Sequence, residues 1–547
     1  MTTDRYHLGD YSPLVSQIAS KLDAENVPTR LSSHDHTLWS DDPTEIADRL
    51  AWLTLPADIQ SQINPLADFA ANVRGEGYRH VVLLGMGGSS LGPEVIRQVV
   101  APSVNGAHPN MLTLDSTVPA WVSATTAAIE PARTLFVISS KSGTTTEPLA
   151  FYAYFRELVN SNVPNGHPGD HFVAVTDPET PLEELARSER FRQAFINDPY
   201  IGGRYSVLSL FGLVPAALMG VKSQTLIARA LSMQQRCIPA IPIANNPGAW
   251  LGTVIGVLAK HGRDKLTLVA SERIAAFGLW VEQLLAESVG KSGTGIIPVA
   301  AEPMGKPEQY ASDRLFVQLR LADDDSDEAG SSDRAMAELI EAGHPVVRLE
   351  LSDAYDLGAE FYRWEYATAI AGHILGIHPF DQPDVQGAKD RTVSVLDRYQ
   401  GEGHLPVMKT DDVGSLSDLL AASNAGDYLA IMAYLPDSPN IANAIYRLRR
   451  RAIERYGIAT TAGYGPRFLH STGQLHKGGP NTGIFLQLTQ EHVDDIEIPG
   501  WPFSFGVLAD AQALGDLQAL RELDRRIVSI RLQGDPAEAI NRIADTL

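Results

Sequence analysis

From about residue 78 the chain alternates short apolar runs with longer helical stretches. The runs 80–84, 111–114, 134–138 and 172–176 each end in Gly, Asp, Ser or Thr, and each leads into a helical pattern. Runs of this kind predict strands buried on both faces, and the alternation predicts a doubly wound parallel sheet. A helical region over roughly 205–235 closes this first unit, which is expected to span 76–240. A second α/β unit, 241–399, is expected from strands at 265–270, 314–321 and 345–351 and helices at about 274–289 and 357–375. Residues 1–75 are read as a helical wrap around the first unit. Residues 400–547 are read as a further α/β extension, with a strand at 428–434 and a basic amphipathic helix at 440–456. The acidic stretch 322–333, ADDDSDEAGSSD, is expected to be a solvated surface loop.

The 547 residues leave room for roughly two or three domains. Lys and Arg total 44 against 66 Asp and Glu, a net charge of −22. A surface this negative repels nucleic acid and anionic membranes, so neither is expected as a partner. It also repels an anionic metabolite, whose attraction must be supplied locally. The cations of helix 440–456 are expected to pair with nearby acids. Cys237, the sole cysteine, excludes an intramolecular disulfide or a cysteine metal cluster and reads as an inert thiol. The N-terminus carries acids and lacks the look of a secretory signal, and the nearly apolar stretch 207–221 is too short to span a membrane. A cytoplasmic location is expected.

The strand at 135–138 runs into SSKSGTTTEP (139–148) and then a helix. Five hydroxyls (Ser140, Ser142, Thr144, Thr145, Thr146), a glycine and Lys141 gather where the helix dipole is positive, a setting for phosphate or carboxylate. Thr144 and Glu147 also stand in capping-box spacing, so a well-capped helix explains the segment equally well. The first strand ends in LLGMGGSSLGPEV (83–95). Ser90 occupies a position where a dinucleotide fingerprint wants glycine, and no Walker lysine–hydroxyl pair follows. What remains is a Gly/Ser loop suited to an anion or a sugar hydroxyl.

Glycine loops with SSKSGTTTEP resemble the sugar isomerase domain, and YIGGRYSVLS (200–209) narrows the resemblance to the phosphoglucose isomerase family. LLAESVGKSGTG (284–295), HPFDQPDVQGAK (378–389) and GPRFLHSTGQ (465–474) are similar to three further family motifs. The resemblance implies two doubly wound, mainly parallel sugar isomerase domains and a homodimer. It implies reversible isomerisation of D-glucose 6-phosphate and D-fructose 6-phosphate through a cis-enediolate, with no metal or organic cofactor and a small phosphosugar as substrate.

Glu287 closes an apolar helix before a glycine, where a carboxylate can be partly desolvated; by resemblance it is the catalytic base. Arg204 follows two glycines, and its guanidinium suits a developing enediolate oxygen. By resemblance Lys389 contacts the ring oxygen or O1 and Gln382 helps hold the phosphate; their seven-residue spacing puts them near one face if the chain is helical from about Pro383. His470, with Gln474 four residues on, matches the ring-opening histidine; His476 is a competitor without that spacing. Ser140, Lys141, Ser142 and Thr145 align with the phosphate loop, Glu147 is expected to orient that loop, and Gly88 and Ser89 match sugar-contacting positions.

The order of motifs departs from the family's. The histidine segment is expected between the glutamate and lysine motifs, yet 302–316 contains no histidine and His470 follows both. This arrangement resembles the isomerase half of bifunctional transaldolase–phosphoglucose isomerases. Activity on mannose 6-phosphate and a non-catalytic phosphosugar sensor stay open as alternatives. A weak echo links 315–321 and 346–351 with 484–490 and 527–532, a partial duplication or two units built under the same constraints.

Overall fold

A computed structural model describes residues 4–101, 108–163 and 166–547. Residues 1–3 of the expected wrap and 102–107 and 164–165 of the first unit lie outside the described residues. The α/β reading holds: three sheets, mainly parallel, are covered by helices.

The first sheet runs Asn110–Leu114, His80–Gly85, Thr134–Ser139, Phe172–Thr176, Gln193–Ile196, with every pairing parallel. The outermost strand, Gln193–Ile196, has no buried side chain and lacks the apolar run that marks the others. The chain order reverses between His80–Gly85 and Thr134–Ser139. Loops leaving those two neighbours diverge to opposite faces and leave a crevice at their carboxyl ends. Both loops singled out in the sequence border this crevice.

The second sheet runs Arg5–His7, Val346–Leu351, Arg314–Leu321, Lys265–Ala270, Ile297–Val299. Arg5–His7 is antiparallel to Val346–Leu351, so the N-terminal segment is not wholly helical. Nor does it touch the first unit alone. Tyr6 packs edge-on against Trp250, Trp39 Nε1 donates to Ala369 O, and Asp23 accepts from Ile243 N, all on second-unit elements. Later residues face the first unit: Trp52 stacks on Tyr205, Ala51 N donates to Tyr200 O, Gln234 Nε2 donates to Leu53 O, and the helix Gln60–Gly75 packs on the helix Leu210–Leu218. The region 205–235 holds two helices, Leu210–Leu218 and Ser223–Arg236, parted by Gly220 at φ +80°. The acidic stretch is only half a loop. Ser326 caps the helix Asp327–Glu341, and Asp327 and Glu328 fill its first turn, where the dipole favours negative charge.

The third sheet, Ala459–Tyr464, Tyr428–Ala433, Gly483–Thr489, Arg526–Arg531, is wholly parallel. The internal echo has matching register: Phe316 lies opposite Val346 and Phe485 opposite Ile527, which both origins allow. In the helix Pro439–Tyr456, Arg447 pairs with Asp545 and Arg450 with Glu454, as the acid-pairing expectation has it.

The third unit is clamped to both others. Phe505 stacks on Phe151 at 5.7 Å, within a core that unites the first sheet with the helices Gln386–Glu402 and Phe505–Glu522. Ala286, Ile297 and Val299 of the second unit pack with Tyr428, Ala430 and Met432. Cys237 is buried, which pushes its thiol up to about 12 and leaves it unreactive. Among the described residues no helix is long and apolar enough to cross a membrane.

Candidate active site

The hydroxyl loop is not a helix cap. Thr145 occupies the cap position of the helix Thr146–Asn162, but no side chain makes a cap bond. The hydroxyls pair with one another: Ser140 with Thr145 at 2.8 Å and Ser142 with Thr144 at 2.9 Å. Gly143 N and Thr144 N donate to Ser140 Oγ and Ser142 Oγ. Gly143 sits at φ +68°, and a Cβ there would meet Leu182 N at 2.8 Å, so the turn requires glycine. Lys141 was expected to lend the loop its charge. It is paired with Asp177, just past the next strand, and donates to Pro199 O at 2.9 Å.

Three backbones close on each other across the crevice. A Cβ on Gly88 would lie 2.0 Å from Gly203 O, and one on Gly87 would lie 2.6 Å from His470 O. The glycines of GMGGSS therefore serve loop-to-loop packing, and they bring Arg204 and His470 to the mouth of the first sheet.

Arg204 is buried. Its Nε donates to Ser288 Oγ (2.8 Å), Nη1 to Gln382 Oε1 (2.9 Å), and Nη2 to Pro379 O (2.8 Å) and Asp381 O (2.9 Å). Of the five guanidinium N–H groups, this leaves one on Nη1, which lies 3.6 Å from Glu287 Oε2. Gln382 precedes the helix Gln386–Glu402, so the expected helical relation to Lys389 fails. Its Oε1 accepts from Arg204 Nη1.

Glu287 lies in the last turn of the helix Phe277–Val289 and is 8% exposed. Burial raises its pKa above the ordinary value, opposed by Arg204, Gln283, His470 and Lys291. Gln283, one turn earlier, donates from Nε2 to Glu287 Oε2 (3.2 Å) and to His470 O (3.0 Å), tying Glu287 to the histidine segment.

His470 ends the short helix Arg467–His470, beyond the third-sheet strand Ala459–Tyr464. Its Nε2 meets Glu147 Oε1 at 2.9 Å. Glu147, expected to orient the hydroxyl loop, holds the histidine instead. Burial pushes Glu147 up, but His470, its hydrogen bond, a backbone bond and Lys389 together carry it below its ordinary value. His476 is no competitor. It is buried against the rings of Phe468 and Phe485 and driven down to about 3, chiefly by burial.

A cavity of about 620 Å³ is lined by Gly88, Ser89, Lys141, Ser142, Thr145, Arg204, Glu287, Gln382, Lys389 and His470. Every sequence-predicted site residue is there except Ser140, which sits behind the loop and braces Thr145. Sequence reasoning missed Gln283, Ser288, Asp177 and Gln512. Only Gln283 left a signal, its i, i+4 spacing from Glu287.

A model of the phosphoglucose isomerase family matches residues 67–297. A glucose-6-phosphate isomerase of Parabacteroides distasonis is 29% identical over 395 residues, covering 64% of this chain and 88% of that protein. A probable glucose-6-phosphate isomerase of Natronomonas pharaonis is 30% identical over 372 residues, covering 62% of this chain and 83% of that protein. The chain belongs to the phosphoglucose isomerase family. Two solved structures share its fold. A hypothetical protein of Thermus thermophilus has TM-score 0.60 at 24% identity, covering 72% of this chain and 100% of that one. A glucose-6-phosphate isomerase of Chlamydia trachomatis has TM-score 0.53 at 19% identity, covering 73% and 81%.

The phosphoglucose isomerase match includes Gly88 through Glu287 and stops before Lys389 and His470. The segment 302–316, where the family order calls for a histidine, is structural here: Glu302 pairs with Arg314 and accepts from Thr460 N. The histidine reaches the cavity from the third sheet of the same chain.

Proposed function

We propose that the chain interconverts D-glucose 6-phosphate and D-fructose 6-phosphate through a cis-enediolate. The observation that carries this reading is that Glu287, Arg204, Lys389, His470 and the hydroxyl loop all line one cavity. In this reading Ser142, Thr145 and Lys141, braced by Ser140, hold the phosphate, while Gly88 and Ser89 pass close to the sugar. His470 Nε2 is engaged by Glu147, so Nδ1 faces the sugar: it takes the proton of the O1 hydroxyl and passes it to O5 as the C1–O5 bond breaks. Lys389 binds O1. Glu287 then takes the C2 proton of the open aldose and returns it to C1, and the O1–O2 proton exchange completes the ketose. The one Nη1 N–H of Arg204 not otherwise engaged stabilises the negative oxygen of the enediolate. Gln382 positions Arg204 for that task.

Raised by burial, Glu287 is a stronger base than an exposed carboxylate, as abstraction of a carbon-bound proton requires. A cytoplasmic location fits the inert thiol, and the homodimer follows from the resemblance to the phosphoglucose isomerase family. Catalysis itself draws on one chain, because His470 and Glu287 are joined through Gln283 within it. The test is direct. Purified protein given fructose 6-phosphate, without added metal, should yield glucose 6-phosphate in a dehydrogenase-coupled assay. No product at high protein concentration would refute the assignment, and mannose 6-phosphate in the same assay defines the epimer accepted at C2.

A further inference from the structure

The Glu147–His470 contact has a further layer, contributed by parts of the chain far from any motif. Gln512, on the helix Phe505–Glu522, donates from Nε2 to Glu147 Oε1 at 2.6 Å, the same oxygen that meets His470. Its Oε1 accepts from Thr117 Oγ1 at 2.7 Å, in the loop after the strand Asn110–Leu114. All three supporting side chains, Thr117, Glu147 and Gln512, are buried.

The amide can be oriented only one way. Turned over, it would set its carbonyl oxygen against a carboxylate oxygen at 2.6 Å, two acceptors with no hydrogen between them. With Nε2 toward Glu147, the carboxylate oxygen receives two donors, one from Gln512 and one from the imidazole. An ionised carboxylate has no hydrogen to give, so the imidazole must carry its proton on Nε2.

We propose that Gln512, oriented by Thr117, is a positioning residue that holds Glu147 ionised and thereby fixes His470 as the Nε2–H tautomer. The inference rests on the ring-opening role given to His470 above. The third unit then supplies both the histidine and the side chain that sets its protonation, while the first unit supplies the carboxylate between them.

Three variants test it. Gln512→Leu removes the donor, and Thr117→Val removes what orients it. A hydrogen bond to a charged group is worth about 1.5–3 kcal/mol, so Gln512→Leu should lower kcat on glucose 6-phosphate about 10- to 100-fold, with KM within about twofold. Thr117→Val should lower it less, in the same direction. Neither should slow a 5-O-methyl analogue that cannot close the six-membered ring. Gln512→Glu gives a sharper signature. While protonated, the introduced carboxyl still donates to Glu147 and activity stays near the parent's. Once ionised it repels Glu147, adding a descending limb on the alkaline side of the profile. Equal losses on ring-closed and open-chain substrates, or a Gln512→Glu profile that superimposes on the parent's, would overturn the proposal. Imidazole nitrogen NMR shifts read the tautomer without turnover: Nε2–H in the parent and a mixture in Gln512→Leu. An unchanged tautomer in that variant overturns the proposal on its own. A parent inactive on fructose 6-phosphate would instead overturn the isomerase reading.

Discussion

Replacing Glu287 with glutamine isolates proton transfer from binding, and the structure supports a figure for each. Arg204 makes four hydrogen bonds that do not involve Glu287, to Ser288, Gln382, Pro379 and Asp381, so the guanidinium keeps its place when the charge is removed. A glutamine carbonyl oxygen can accept from Gln283 Nε2 as the carboxylate does, so the link to the His470 backbone survives as well. Substrate binding should therefore change little, with KM within about threefold. The base itself is lost. General-base catalysis contributes about 10²–10⁴-fold, so kcat should fall by that factor, about 2.7–5.5 kcal/mol of barrier. The parent's pH profile supplies a second check. Glu287 works as the carboxylate, and burial raises its pKa, so kcat/KM should fall with acidification at a pH above the ordinary glutamate value of about 4.3. The coupled assay with fructose 6-phosphate, run from pH 4 to 9, reads all three quantities. A kcat within tenfold of the parent's, or a loss residing wholly in KM, would refute the assignment of Glu287 as base.

In the proposed reading Glu287 and His470 serve one site in one chain, so mixing inactive Glu287→Gln and His470→Ala proteins after co-refolding should restore nothing. A site shared across a dimer would instead recover about a quarter of the parent's activity, since half the dimers would carry one intact site. Glu282 offers a stability prediction. Burial, opposed by Arg449, raises its pKa to about 8, so the folded state binds more protons than the unfolded one from about pH 4.3 upward. The corresponding stability is present below about pH 4.3 and is lost as pH rises through 8. Glu282→Gln, already neutral, should raise the melting temperature relative to the parent at pH 8 and leave it nearly unchanged at pH 4; equal shifts at both would contradict this.

Much of this was legible in the sequence because the physics there is local. Strands buried on both faces must be apolar throughout, so 80–84 and 134–138 announced themselves. The crevice loops carried glycine where backbones touch, and Glu287 and His470 sat inside recognisable motifs. What could not be read was set by tertiary contact. Arg5–His7 is three residues long with no buried side chain, and only its pairing with Val346–Leu351 makes it a strand. Lys141 looked like free charge until Asp177, 36 residues on, was brought against it. Gln382 and Lys389 share a face only if the helix starts at about 383, and it starts at Gln386. Glu147 had capping-box spacing and so seemed explained already. Its true partners lie 323 and 365 residues away, beyond any window of sequence.

Each unit contributes to the site: Glu287 from the second and His470 from the third meet at the cavity, and Glu147 from the first holds His470 from behind. In the proposed reading catalysis therefore acts as a strain gauge for the packing of three units whose cores run into one another. A mild denaturant or a cavity-forming change at Phe505 would let the third unit slip by a fraction of an ångström without melting anything. Ring opening would fade first, while transfer on an already open sugar, which needs only Glu287 of the second unit and Arg204 of the first, would persist. The ratio of the two rates would report loosening before any spectroscopic sign of unfolding.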